Sequence, residues 1–113
     1  MSGKEVRTLS SADRDIAGAI NYLIAEDEVS AATSLVRELD AVTRLIAAQP
    51  AAGSPRHGES LGIEGLRSRS LRHHPYLVFY IERADRIDIW RVLHSRRDIP
   101  ALLVAEPVLR GNS

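Results

Sequence analysis

The chemistry on offer in this chain is that of arginine and histidine. Fourteen of the fifteen basic residues are Arg, Lys4 being the other, and the stretch 66–98 carries Arg67, Arg69, Arg72, Arg91, Arg96 and Arg97. The same stretch holds His73, His74 and His94, Trp90, Phe79 and two of the three tyrosines. A guanidinium holds carboxylates and phosphates through paired N–H bonds, but it transfers protons poorly because its pKa exceeds about 12. Two activities fit such a set. Metal-free RNA cleavage needs a base, an acid and cations to balance phosphate charge. Arg67, Arg91, His94 and Arg97 would be its residues. Binding another macromolecule needs only a shaped, positively charged surface. Arg67, Arg69, Arg72, Trp90, Arg91, His94, Arg96, Arg97, Asp98, Leu102 and Leu103 are the candidates for that surface.

Each candidate also has a plainer role. His94 closes the sheet against a neighbouring strand or Asp98. Trp90 is core, since a lone aromatic is weak support for base stacking. Arg97 and Asp98 pair locally, an exposed contact contributing about 0–1 kcal/mol. Arg91 lies among apolar residues, so its burial requires a carboxylate; Glu82 or a residue of a partner is expected, because Asp88 points to the other face. With no Cys there is no thiol nucleophile, disulfide framework or Cys-based zinc site, and no metal or cofactor is expected.

Three short strands must position these groups. In 66–71, Arg67, Arg69 and Leu71 alternate with Leu66, Ser68 and Ser70, which places Arg67 and Arg69 side by side, about 7 Å apart. Tyr76 to Glu82 is the most apolar strand, Arg83 to Arg86 a hairpin connection, and 87–94 the last strand. Alternation predicts Ile87, Ile89, Arg91 and Leu93 on one face and Asp88, Trp90, Val92 and His94 on the other. Apolar groups on both faces call for two covers.

The N-terminal half supplies one. A short strand is expected at 5–9. Ser10 with Asp13 matches a capping pattern, and Ile16, Ala19, Ile20, Leu23 and Ile24 recur at helical spacing. Glu26-Asp27-Glu28 puts negative charge at the helix's negative end and stops it. Ser30 is the next N-cap candidate, and Ala32, Leu35, Val36, Leu39, Val42, Thr43 and Ile46 form a second stripe that Pro50 ends. The two make an antiparallel helical hairpin. Residues 51–65, with four glycines and Pro55, read as a loop in which Arg56 and His57 are solvated. The tail supplies Ile99, Leu102, Leu103, Val104, Val108 and Leu109. Pro100 opens a short helix, Pro107 ends it, and 111–113 fray. This tail or a partner must cover the second face.

At 113 residues and 44% hydrophobic, the chain fits one domain, 1–113, with a core over about 5–104 and a tail over 105–113. It contains no bilayer-spanning run and no signal peptide, so a cytoplasmic, non-membrane protein is expected. Net charge is zero but uneven: residues 1–50 carry five basic and eight acidic groups, the remainder ten and seven. The basic half suits an acidic partner or RNA, although arginine-favouring codon usage explains the composition equally well.

The run Tyr76–Ile81, a charged hairpin, Ile87–His94 and then Ser95-Arg-Arg-Asp98 resembles the RelE/ParE superfamily of type II toxin–antitoxin toxins, the ParE branch in particular. Arg91-Val92-Leu93-His94-x-x-Arg97-Asp98 is the most specific part. Gln49-Pro50 with Gly53 and Arg67 also match. The resemblance runs from about Leu9 to Leu103. It implies an α+β fold: a short N-terminal strand, a helical hairpin, a three-stranded antiparallel sheet and a C-terminal tail or helix. It implies a toxin that arrests growth and stabilises plasmids, held in a hetero-oligomer by a ParD-like antitoxin encoded beside it. The ParE branch implies inhibition of DNA gyrase without catalysis. The RelE branch implies mRNA cleavage on the ribosome. Ribonuclease members typically carry sheet lysines and a Tyr or His near the C-terminus. Here no Lys follows Lys4 and no Tyr or His follows His94, which favours gyrase over the ribosome. The antitoxin is expected to lay an acidic, amphipathic segment against the sheet and tail.

Overall fold

The computed structural model describes residues 4–105. Strand β1 (Glu5–Thr8) leads into helices α1 (Ser10–Ala25) and α2 (Val29–Ala48). A 3-10 turn (Pro50–Ala52) and helix α3 (Arg56–Leu61) follow. Strands β2 (Leu66–Ser70), β3 (Tyr76–Glu82) and β4 (Arg86–His94) and helix α4 (Ile99–Ala105) complete the described chain.

The hairpin forms as its periodicity predicts. Ala12 and Ala19 of α1 and Ala32, Leu35, Val42 and Ile46 of α2 are buried, with Ile16, Ile20, Leu23 and Leu39 packed beside them. Burying a Leu- or Ile-sized side chain stabilises the fold by about 1.5–3 kcal/mol, so this stripe docks the hairpin on the sheet. Ile24 and Val36 stay about half exposed. The acidic run ends α1 as expected, and Asp27 makes the reversal with φ 62°, a left-handed conformation that Asp tolerates better than most residues. Both cap expectations fail. Leu9 occupies the N-cap of α1 and Glu28 that of α2, neither with a side-chain cap bond. Ser10 and Ser30 lie inside their helices.

The sheet has four strands in the order β1-β4-β3-β2 and is mixed. β3 pairs antiparallel with β2 and β4, while β1 pairs parallel with β4, Val6 opposite Ile87. The hairpin is the long crossover that a parallel pair requires.

A β-bulge corrects the expected faces of the last strand. Phe79 opposes Arg91 but Tyr80 opposes Ile89, so Trp90 and Arg91 together face one residue. The alternation resets there. Ile87, Ile89 and Val92 join Val78 and Tyr80 under the hairpin. Trp90 and Leu93 join Leu66, Phe79 and Ile81 on the opposite face.

That second face is covered by α4, through Ile99 and Leu103, and by the α3 region, through Leu61 and Ile63. The α3 helix corrects the reading of 51–65 as a loop. It ends at Gly62, whose φ of 70° suits glycine at a helix C-terminus. His57 is therefore not a solvated loop residue. It is half-buried and meets the Phe79 ring edge-on at 5.3 Å. Val108, Leu109 and the expected stop at Pro107 lie outside the described residues. No helix among the described residues is long and apolar enough to cross a membrane.

Candidate functional site

β1 pairs with only the first half of β4, so the rest of that edge needs other partners. Leu9 N–H donates to the Ile89 carbonyl (2.9 Å), extending the pairing by one residue. Beyond it α1 takes over with side chains. The Ser11 hydroxyl donates to the Trp90 carbonyl (2.9 Å), and the Val92 N–H donates to Asp15 Oδ2 (2.9 Å). Asp15 also receives Arg91, Nε at 2.7 Å and Nη2 at 2.9 Å, while Arg91 Nη1 reaches the Leu102 carbonyl at 3.4 Å. The Arg91 and Asp15 side chains are 11% and 14% exposed. The carboxylate that burial of Arg91 demands is thus Asp15, not Glu82. The bulge is the reason: it turns Arg91 out of the strand's alternation and toward the start of α1.

The end of β4 feeds a tight turn. Ser95 N–H donates to the Pro75 carbonyl and Arg97 N–H to the His94 carbonyl. His94 Nδ1 accepts the Arg96 N–H at 3.1 Å, so a neutral ring carries its proton on Nε2. The ring meets Tyr76 edge-on at 5.2 Å. Asp98 is not its partner, but His94 does close the sheet against the neighbouring strand, standing opposite Tyr76 of β3. Asp98 instead accepts the Ala101 N–H at 3.3 Å and caps α4. Arg96 and Arg97 stand exposed on this turn.

The β2–β3 turn lies at the same end of the sheet. Glu38 of α2 holds it, accepting the Arg72 and His73 N–H groups at 2.8 and 3.0 Å, and His74 Nε2 meets the Ser34 hydroxyl at 3.0 Å. Burial alone would raise the Glu38 pKa. The two backbone N–H bonds and the nearby histidines outweigh it and hold the carboxyl below its ordinary value.

Arg67 and Arg69 are placed differently. They share the hairpin-facing side of β2 with Tyr80 and Val78 across the strand pair. Arg67 Nη1 donates to the Gly53 carbonyl (2.8 Å). The Tyr80 hydroxyl donates to the Pro50 carbonyl (2.6 Å) and accepts the Gly53 N–H (3.1 Å). This clasp explains why Gly53 follows Pro50: a Cβ there would collide with the Tyr80 hydroxyl. Burial pushes the Tyr80 phenol pKa up. Arg69 is half-buried, and its Nε has no hydrogen-bond partner among the described residues.

The expected single array of arginines is therefore corrected. Arg91 is buried on Asp15, Arg67 is half-buried and bonded to the Gly53 carbonyl, and Trp90 and Leu103 are core. What the fold brings together is one end of the sheet, where Arg72, His73 and His74 on one turn adjoin His94, Arg96 and Arg97 on the next. Beside it runs a groove of about 550 Å³ lined by Gly18, Tyr22, Tyr76, His94 and Arg97. At the other end, charges neutralise one another: the buried Asp88 receives Arg83 Nε and Arg86 Nε at 3.0 and 2.9 Å, and Lys4 meets Glu82 at 2.9 Å. The Asp88 bond holds the Arg86 pKa above its usual value. Among the described residues no cluster of three His, Asp or Glu side chains could hold a metal.

Sequence reasoning named most of the basic end but missed Asp15 and Glu38, the two carboxylates that position it. The one available signal was Asp15 at the start of a helix, which reads equally well as a dipole partner.

The family model for the ParE toxin of the type II toxin–antitoxin system parDE matches residues 6–99, which span every element from β1 to the start of α4. The chain belongs to the ParE toxin family. It is also similar in structure to a chain of the chromosomal ParDE toxin–antitoxin system from P. aeruginosa, with a TM-score of 0.67 and 16% sequence identity. That match covers 80% of this chain and 95% of the other, and it shows the shared α+β fold. A comparison with curated proteins found no match. In this ParE-family chain the segment from Arg91 to Asp98 fills four posts: an ion pair on α1, an edge-on ring contact, two exposed arginines and a helix cap.

Proposed function

We propose that this toxin acts by binding DNA gyrase, and that a ParD-like antitoxin encoded beside it neutralises it in a hetero-oligomer. The observation that carries this reading is the commitment of the would-be catalytic arginines. Cleaving RNA calls on Arg67, Arg91, His94 and Arg97, yet Arg91 is held by Asp15 in a bidentate pair and Arg67 is tied to the Gly53 carbonyl through Nη1. Moving either to a phosphate would leave a buried partner unsatisfied, at a cost of about 1–3 kcal/mol or more. The remaining groups form an exposed, cationic end suited to contact with a macromolecular surface.

Two parallel assays test it. Purified toxin is added to a gyrase supercoiling reaction and to ribosomes programmed with mRNA. Blocked supercoiling or trapped cleaved DNA, with intact mRNA, supports the proposal. Cuts in A-site mRNA with unimpaired gyrase refute it and favour the ribosome-dependent endoribonuclease.

A further inference from the structure

Gly18 sits in the interior of α1, where glycine is costly relative to alanine because it loses more backbone freedom. Among the described residues the other glycines have a local reason: Gly53 in the Tyr80 clasp, Gly58 against the backbone of Ile63 and Leu66, and Gly62 and Gly65 in positive φ. Gly18 has none within its own fold. Its φ is not in the left-handed region, and a Cβ placed on it would meet no atom within 4 Å. The space it leaves opens outward, into the groove beside the basic end.

Arg14, Gly18 and Tyr22 recur every fourth residue and so form one stripe of α1 along that groove, with Tyr76, His94 and Arg97 also lining it. Tyr22 is 63% exposed and presents its ring to the groove. Arg91 in the lining is balanced by Asp15, and Arg97 stands exposed at the groove's basic end. Its features are a missing side chain on one wall, aromatic rings beside the gap and the exposed guanidinium of Arg97.

We infer that an acidic peptide segment of the antitoxin crosses α1 at Gly18, its main chain resting where a side chain would stand, an apolar residue against Tyr22 and Tyr76, and its carboxylates toward Arg97. This rests on the toxin–antitoxin reading above and adds to it the crossing point and the chemistry of the segment. The glycine notch suits close approach of a peptide main chain and the tyrosine rings an apolar side chain, and the basic charge then selects an acidic segment among peptides.

The experiment measures binding of the full-length toxin to the purified polypeptide encoded beside it, by calorimetry at two salt concentrations. The variants are Gly18→Ala, Gly18→Leu and Arg97→Glu, each with its thermal midpoint. Gly18→Ala and Gly18→Leu are expected to melt no lower than the parent, since nothing opposes a side chain there. Gly18→Leu should weaken binding at least tenfold. Arg97→Glu should weaken it comparably and flatten the salt dependence. Parent-like affinity in both Gly18→Leu and Arg97→Glu overturns the inference. Failure of the parent toxin to bind that polypeptide overturns the antitoxin reading itself, which keeps the two outcomes distinct.

Discussion

Asp15 grips Arg91 through both carboxylate oxygens and takes the Val92 N–H with one of them. Through this pair, α1 stands in for the strand that would otherwise continue β1 along the edge of β4. Arg91 also reaches the Leu102 carbonyl, so one guanidinium ties α1, β4 and α4 together. The turn that presents Arg96 and Arg97 begins three residues later.

Removing one partner should therefore destabilise strongly. Asp15→Ala is expected to cost about 3 kcal/mol, because Arg91 remains buried without a counter-charge. In a domain of this size that lowers the thermal midpoint by more than about 10 °C. The double variant Asp15→Leu/Arg91→Leu should recover part of the loss. Thermal unfolding of the parent, Asp15→Leu, Arg91→Leu and the double variant as a cycle measures the coupling.

The clasp on the 50–53 turn predicts a smaller effect. Tyr80→Phe leaves the Pro50 carbonyl and the Gly53 N–H without their shared partner, costing about 1–3 kcal/mol. Urea unfolding should show a lower midpoint at unchanged slope. Gly53→Ala should be at least as damaging, since its Cβ displaces the tyrosine ring.

Acid sensitivity follows from Glu38. Its folded pKa lies below its ordinary value, so the unfolded chain takes up the proton first. The stability it contributes is complete above the unfolded value and drains away as pH falls through the folded one. His57 acts with the same sign around its own range, because burial, together with Arg56, lowers its pKa. Glu38→Gln should flatten the acid limb of a stability–pH profile and leave the neutral region lower than the parent. A parent-like acid limb in that variant would remove Glu38 as its cause.

Gly18→Ala is expected to raise stability by about 0.5–1 kcal/mol, the ordinary difference between these residues inside a helix. Chemical denaturation measures it. A loss instead would mean that the fold needs the glycine.

Much of this fold was legible because it follows local periodicity. The stripes of α1 and α2 repeat at helical spacing, β3 and β4 stand out as β-branched and aromatic runs, and β2 shows through its strict alternation alone. The rest depends on contacts between distant residues. Four residues before α1 carry no sign that they will pair parallel with β4, 81 positions along at Val6 and Ile87. Glycine and proline around 51–65 mask the six residues of α3, which hold together by packing on β2. One bulge residue, invisible as a pattern, exchanges the faces of everything from Arg91 onward. That exchange sent Arg91 to Asp15 and broke up the expected arginine array. The basic end survived because its residues sit on two turns that strand pairing, Tyr76 opposite His94, brings side by side.

The central claim is that this cationic end is the surface with which the toxin acts. The direct measurement is gyrase supercoiling with the parent and with Arg96→Glu/Arg97→Glu, whose side chains are exposed and whose fold should melt as the parent does. The account predicts that the parent blocks supercoiling and that the double variant loses at least tenfold in potency. Equal inhibition by both proteins, at equal stability, would contradict it.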